Sequence, residues 1–172
     1  MKQIFLWVCA CFLLIGCGYK PTTYYAKQAL GDSIYAEVTI SRKDPQNTVL
    51  IKDSVNEAIV SRFGAKIAPK EKAESLLHVS IAGITFSPTV YDANGYVIAY
   101  KARVTLTTKY KRGSEKEQVM KTSGEYDFSI ESNSVISDAK RFEAIRYAAS
   151  DALDEFVSKI AIQGLYHGNN HQ

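Results

Sequence analysis

The stretch Tyr96 to Lys111 constrains this chain most, because its polarity alternates residue by residue. Ile98, Tyr100, Ala102, Val104, Leu106 and Tyr110 fall on one side, and Lys101, Arg103, Thr105, Thr107, Lys109 and Lys111 on the other. A period of two is the signature of a β-strand. One greasy and one hydrophilic face suits a sheet covered on a single side; a sheet buried on both faces would show a continuous apolar run.

The neighbouring segments extend the pattern. Asp92-Ala93-Asn94-Gly95 precedes the long strand, and Asn-Gly suits the positive backbone angles of a tight hairpin. Leu76 to Ser87 is therefore the hairpin's first arm, with Pro88 ending or bulging it. After a turn at Arg112-Gly113-Ser114-Glu115, Glu117 to Ile130 returns as a third arm, with Tyr126, Phe128 and Ile130 on the core side. Upstream, Ser33 to Ser41 alternates with Ile34, Ala36, Val38 and Ile40 facing one way. Asp44-Pro45 opens a helix over about residues 47–63, carrying Ile51, Val55, Ala58, Ile59 and Phe63 at helical spacing and capped by Gly64. Ala65 to Ser75 reads as an exposed connection. Ser137 to Gln163 predicts a closing helix ended by Gly164, with Phe142, Ile145, Ala149, Ala152, Phe156 and Ile160 as its apolar stripe. The predicted fold is α+β: a four-stranded mixed sheet covered on one face by two helices, in the order β-α-β-β-β-α. The place of the first strand in the sheet stays open.

The N-terminus is of another kind. Lys2 precedes an apolar run, Ile4 to Ile15, too short for a transmembrane helix, which needs about 17–25 residues. It has the proportions of a secretory signal. The run ends in Leu14-Ile15-Gly16-Cys17, which resembles the bacterial lipobox. That resemblance implies cleavage before Cys17 and acylation of Cys17. With Gly18 rather than Asp next, it also implies sorting to the outer membrane. The organisation expected is a lipoprotein signal at 1–16, a lipidated tether at 17–32, one α/β domain at 33–165 and a flexible tail at 166–172. Tyr19, Tyr24 and Tyr25 either sit among lipid headgroups or pack on the domain.

Composition excludes several function classes. The formal charge is +3, and Lys2 leaves with the signal, so the mature chain is close to neutral and is not expected to bind nucleic acid. Cys9 and Cys11 also leave with the signal and Cys17 would carry lipid, so neither a disulfide framework nor thiol chemistry is expected. No nucleophile elbow, phosphate loop or zinc-protease motif occurs. His167 and His171 lie in the tail, and His78 reads as a strand-surface residue opposite Leu77, Val79 and Ile81. Asp151, Asp154 and Glu155 fit a solvated helix face. Neither catalytic residues, a cofactor nor a metal is expected. The remaining chemistry is the basic side of the long hairpin, with Lys101, Arg103, Lys109, Lys111 and Lys121, and Arg112 beside it. Such a face either binds anionic groups or simply keeps an exposed sheet from aggregating.

Taken together, Cys17-Gly18-Tyr19, the Asp44-Pro45 helix entry, the hairpin around Asn94-Gly95 and the terminal segment Ala152 to Ile160 resemble the lipopolysaccharide-assembly lipoprotein family (LptE). The resemblance spans nearly the whole mature chain in element order. It implies an outer-membrane lipoprotein, anchored by lipid and facing the periplasm, that sits in the lumen of a large LptD-like β-barrel as plug and assembly partner and binds lipopolysaccharide during export. Lys101, Arg103, Lys109, Lys111, Lys121, Lys140 and Arg141 are the residues expected to meet lipopolysaccharide or the barrel. The family's basic residue near the hairpin tip has no counterpart in Asp92-Ala93-Asn94-Gly95, whereas its basic position at the start of the last helix falls near Ser137, beside Lys140 and Arg141. The competing reading is another periplasmic adaptor lipoprotein, such as a cell-wall synthase activator or a transporter accessory subunit.

Overall fold

In a computed structural model describing residues 22–39 and 45–169, the chain forms three α-helices and five strands. In chain order these are α1 (Thr22–Leu30), β1 (Ser33–Val38), α2 (Pro45–Ser61), β2 (Lys66–Ile67), β3 (Ser75–Tyr91), β4 (Val97–Arg112), β5 (Gln118–Ser129) and α3 (Asp138–Asn169). The sheet order is β2-β1-β3-β4-β5. β1 runs parallel to both β2 and β3, and β3, β4 and β5 form an antiparallel meander. The fold class is α+β with a mixed sheet, as the alternation required. It has one strand and one helix more than expected.

The extra strand is β2, a two-residue ladder in the connection that follows α2. The extra helix is α1, formed by residues expected to belong to the tether. Ala26 and Leu30 are fully enclosed in the core, and Tyr25 and Ala29 pack against it. Tyr24 is instead half exposed, with its ring edge-on to Tyr25 at 5.3 Å. The signal segment, Cys17, Ile40, Asp44 and the last residues of the tail lie outside the described residues.

The core lies on one side of the sheet. Ile34, Leu77, Val79, Ala102, Val104, Leu106, Tyr110 and Phe128 form a single cluster with Ile51, Val55, Ile59 and Phe63 of α2 and its C-terminal turn and with Ile145, Ala149, Phe156 and Ile160 of α3. β3 keeps its phase by an irregularity. Leu77, Val79 and Ile81 face the helices, and the register then slips between Ile81 and Gly83, so that Ile84 and Phe86 face them too. This β-bulge explains why strict alternation fails at Ile81-Ala82-Gly83-Ile84. A second slip follows Pro88, which thus bulges the strand without ending it.

Gly64, at the end of α2, has φ +61°, the left-handed turn of a helix C-cap. Gly164 was expected to act likewise and does not, for α3 continues to Asn169. A Cβ on Gly164 would lie 2.4 Å from the Tyr25 carbonyl oxygen, so this glycine lets α1 lie directly on α3. At its other end α3 starts from Ser137, whose hydroxyl accepts the Lys140 N–H at 3.3 Å. Two ends of the molecule are so defined. One holds α1, the start of β3, the β4–β5 turn and the end of α3; the other holds the β3–β4 hairpin tip and the start of α3.

Candidate functional site: the open sheet face and its two ends

Because successive side chains of a strand alternate, the residues between the core positions all reach the uncovered side of the sheet. Cross-strand register arranges them in rows. Thr85, Arg103 and Glu125 form one row, Ser87, Lys101 and Asp127 the next, and Ser80, Thr107 and Lys121 a third nearer the middle. His78 lies opposite Lys109, and Leu76 opposite Lys111.

Of the seven residues expected to make contacts, Lys101, Arg103, Lys109, Lys111 and Lys121 share this face. They are not electrostatically equivalent. Glu125 pairs with both Lys101, at 2.7 Å, and Arg103, and Lys101 also reaches Asp127 at 3.8 Å. The hydrogen bond to Glu125 holds the Lys101 ammonium above its ordinary pKa, and that same bond, helped by Arg103, holds the Glu125 carboxyl below its own. Lys109, Lys111 and Lys121 have no ion pair among the described residues.

Towards the α1 end the same face dips into a groove of about 280 Å³. Lys109 and Lys111 of β4 form one wall, Tyr35 and Glu37 of β1 the other, and Lys70 overhangs from the β2–β3 connection. His78 is fixed within it, 2.6 Å from the Thr39 hydroxyl and 3.7 Å from the Glu37 carboxylate. Lys70 was not foreseen as part of any site. Its segment has no periodicity, and only the parallel β1–β3 pairing brings that segment beside β4.

Lys140 and Arg141 lie apart from the other five, on the first turn of α3 at the hairpin end. The Arg141 guanidinium sits 5.1 Å above the Phe86 ring, and Arg146 sits 5.1 Å from that of Tyr147. Lys140 pairs with Glu143 at 3.3 Å and borders a shallow hollow of about 480 Å³ with Ile130, Val135 and Ser137. Beneath the cations the aromatic rings continue: Tyr147 stacks on Tyr126 at 4.7 Å, Tyr126 on Phe128 at 6.5 Å, and Phe128 on Tyr100 at 6.1 Å. Sequence reading gave Tyr100, Tyr126 and Phe128 to the core. It missed that this end of the core face is only partly roofed, and that Arg141 and Arg146 complete the roof.

The hairpin tip is tied to this end. Asp92 Oδ1 accepts the N–H groups of Asn94 and Tyr96 at 2.9 Å each, and the Ser132 hydroxyl donates to Oδ2 at 2.5 Å. The Ser132 bond, with those from the backbone, holds the Asp92 carboxyl below its ordinary value. Among the described residues no three His, Cys, Asp or Glu side chains converge as a metal site would require, and no helix is long and apolar enough to cross a membrane.

These features define an open-faced α+β domain whose polar sheet surface is flanked by cationic ends. The family model for LptE, lipopolysaccharide-assembly, matches residues 35–160, and the chain belongs to that family. Comparison with curated proteins finds no match. Among solved structures, a Xanthomonas campestris protein is similar at 15% identity over 80% of this chain and 87% of that one, with a TM-score of 0.52. A Caulobacter crescentus CB15 protein classed as a lipoprotein is 11% identical over 84% and 96% of the two chains, with a TM-score of 0.51. Rare lipoprotein B of Shewanella oneidensis is 12% identical over 81% and 95%, with a TM-score of 0.43. At such identities the first two likenesses concern the fold.

Proposed function

We propose that the chain is an outer-membrane lipoprotein, acylated at Cys17, that plugs and helps assemble the β-barrel of the lipopolysaccharide translocon. The observation that carries this reading is the one-sidedness of the sheet. Its core residues and the helices make one cluster on one face, and rows of Ser, Thr, Lys, Arg and Glu occupy the other. A polar sheet face of this kind suits the hydrophilic inner wall of an LptD-like barrel. Membership of the lipopolysaccharide-assembly family supports the same role.

In this reading the domain faces the periplasm and occupies the barrel lumen. Lys101, Arg103 and Lys121 are available to the wall. Lys140 and Arg141 meet lipopolysaccharide phosphates beside the aromatic end, each charge-assisted contact contributing roughly 1.5–3 kcal/mol. The protein acts by binding, not by turnover.

The test is affinity capture from detergent-solubilised outer membrane, with the bound partner identified by mass. A large barrel protein is the expected partner. Capture of a cell-wall synthase or a transporter subunit in its place would favour the adaptor reading.

A further inference from the structure

The open face is electrically uneven, and the unevenness has a direction. Towards the hairpin end its cations are held by Glu125 and Asp127. Towards the α1 end Lys70, Lys109 and Lys111 converge on the groove with no ion pair among the described residues. The opposing charges in the groove are Glu37, which leans towards His78, and Glu117 from the β4–β5 turn. Leu76 and Tyr35 provide a partly apolar lining.

A lipid on Cys17 would be tethered to this end by a short linker. Cys17 precedes the first residue of α1 by five positions, a span of at most roughly 18 Å when fully extended. Helix α1 adds about 13 Å. Its end is fastened beside the groove, since the Ser75 hydroxyl donates to the Leu30 carbonyl at 2.5 Å and Arg112 donates to the Gln28 carbonyl at 2.6 Å. A bilayer surface holding acyl chains on Cys17 is therefore within reach of the groove.

We propose that this groove docks phospholipid headgroups of the leaflet that carries the anchor. Phosphates bind Lys109, Lys111 and Lys70, and the Tyr35 ring and Leu76 meet the glycerol region. Docking fixes the tilt of the sheet at the membrane, which an acyl anchor on a short linker leaves free. The inference rests on the proposed function only through the acylation of Cys17.

The mature chain with Cys17→Ser isolates the groove from the anchor, and among the described residues the buried hydrophobic core runs from Ala26 to Ala161, all of which this chain keeps. Binding is measured to phosphatidylcholine vesicles with and without phosphatidylglycerol. Expected is binding that needs phosphatidylglycerol, weakens with salt, and falls about tenfold or more in Lys109→Gln/Lys111→Gln. Lys70→Gln should lower it by a smaller factor, and Lys101→Gln/Arg103→Gln should leave it unchanged. Circular dichroism verifies that each variant is folded. Equal binding to both vesicle types, or an equal loss in the Lys101/Arg103 variant, overturns the proposal. So does displacement by inorganic phosphate at matched ionic strength, which would mark a small-anion pocket. No barrel or lipopolysaccharide enters the assay, so its failure is distinct from a failed partner capture.

Discussion

The carboxylate of Glu155, on α3, accepts the backbone N–H of Ser123, on β5, at 2.7 Å. Asp151, one helical turn earlier, accepts the N–H of Glu125 at 2.9 Å, and Lys159 approaches the Lys121 carbonyl at 3.5 Å. β5 is the last strand of the sheet, and its outward backbone groups would otherwise invite another strand. Helix α3 supplies the missing partners from its side chains. The three acidic residues that sequence reading gave to a solvated surface are thus engaged, Asp151 and Glu155 by the sheet edge and Asp154 by Arg62 of the turn after α2.

Removing this seal should weaken the fold and expose the edge. Glu155→Gln is expected to cost about 1 kcal/mol, a charge-assisted bond discounted for solvent screening. The bonds from Lys159 and from the Ser123 N–H hold the Glu155 carboxyl below its ordinary value of 4.5. A carboxyl with a depressed folded pKa contributes stability that is fully present above the unfolded value and is lost as pH falls through the folded one. Thermal denaturation of both proteins from neutral pH into acid should therefore show a gap in Tm that is widest near neutrality and closes below about pH 4.5. A gap that persists unchanged in acid would assign the effect to packing.

The close approach behind the seal depends on Gly124. A Cβ there would fall 2.2 Å from the Ala148 carbonyl oxygen and 2.2 Å from the Ala152 nitrogen, both in the backbone of α3. Backbone cannot swing aside as a flexible side chain does, so Gly124→Ala must push the helix off β5. A loss of about 3 kcal/mol is expected, at the upper end for overpacking. Urea denaturation should show it, whereas Gly83→Ala, where a Cβ meets nothing within 4 Å, serves as a mild control.

Gly124 and Gly164 also mark the boundary of what the sequence made legible. The one-sided meander could be read from Tyr96–Lys111 because polarity follows backbone geometry there. The helix stripes around Ile59 and Ile145 were equally plain. α1 escaped notice because Thr22–Leu30 is short and its apolar contribution to the core, among the described residues, is Tyr25, Ala26, Ala29 and Leu30. Gly164 was read as a helix end because a glycine needed for close approach looks, in one dimension, like one needed for a turn. At the candidate site, Lys109 and Lys111 were visible as strand-face cations. That Glu117, Glu125 and Asp127 partly neutralise the patch could be read from the alternation too, but not that Glu125 and Asp127 hold Lys101 and Arg103 in particular, because that depends on the register of β5 against β4.

Helix α1 should be the part of the domain most sensitive to Gly164. Gly164→Ala would place its Cβ 2.4 Å from the Tyr25 carbonyl oxygen, forcing α1 away from α3. Residues 22–30 then lose protection while the meander keeps it. Hydrogen exchange read by mass spectrometry should show amide exchange in α1 accelerated about tenfold or more, with the β3–β4 peptides unchanged. Uniform acceleration across the chain would mean that α1 unfolds only with the whole domain.

Glu125 sets how much positive charge the hairpin half of the open face presents. Its carboxylate engages Lys101 and Arg103 together, and Asp127 lies 3.8 Å from Lys101. Glu125→Gln keeps the shape of the side chain and removes the charge, leaving Lys101 paired with Asp127 and Arg103 with no ion pair among the described residues. If the open face meets lipopolysaccharide phosphates, binding to purified lipopolysaccharide should tighten about threefold to tenfold in this variant, and the gain should shrink as salt rises. Lys101→Gln/Arg103→Gln should then change affinity little in the wild-type background and abolish the gain in the Glu125→Gln background, a coupling that a double-mutant cycle measures directly. Arg141→Gln, at the aromatic end, should weaken binding in both backgrounds alike. A Glu125→Gln protein with unchanged affinity would leave this half of the face to the barrel wall alone, because an ammonium and a guanidinium freed from their carboxylate would then have met no phosphate.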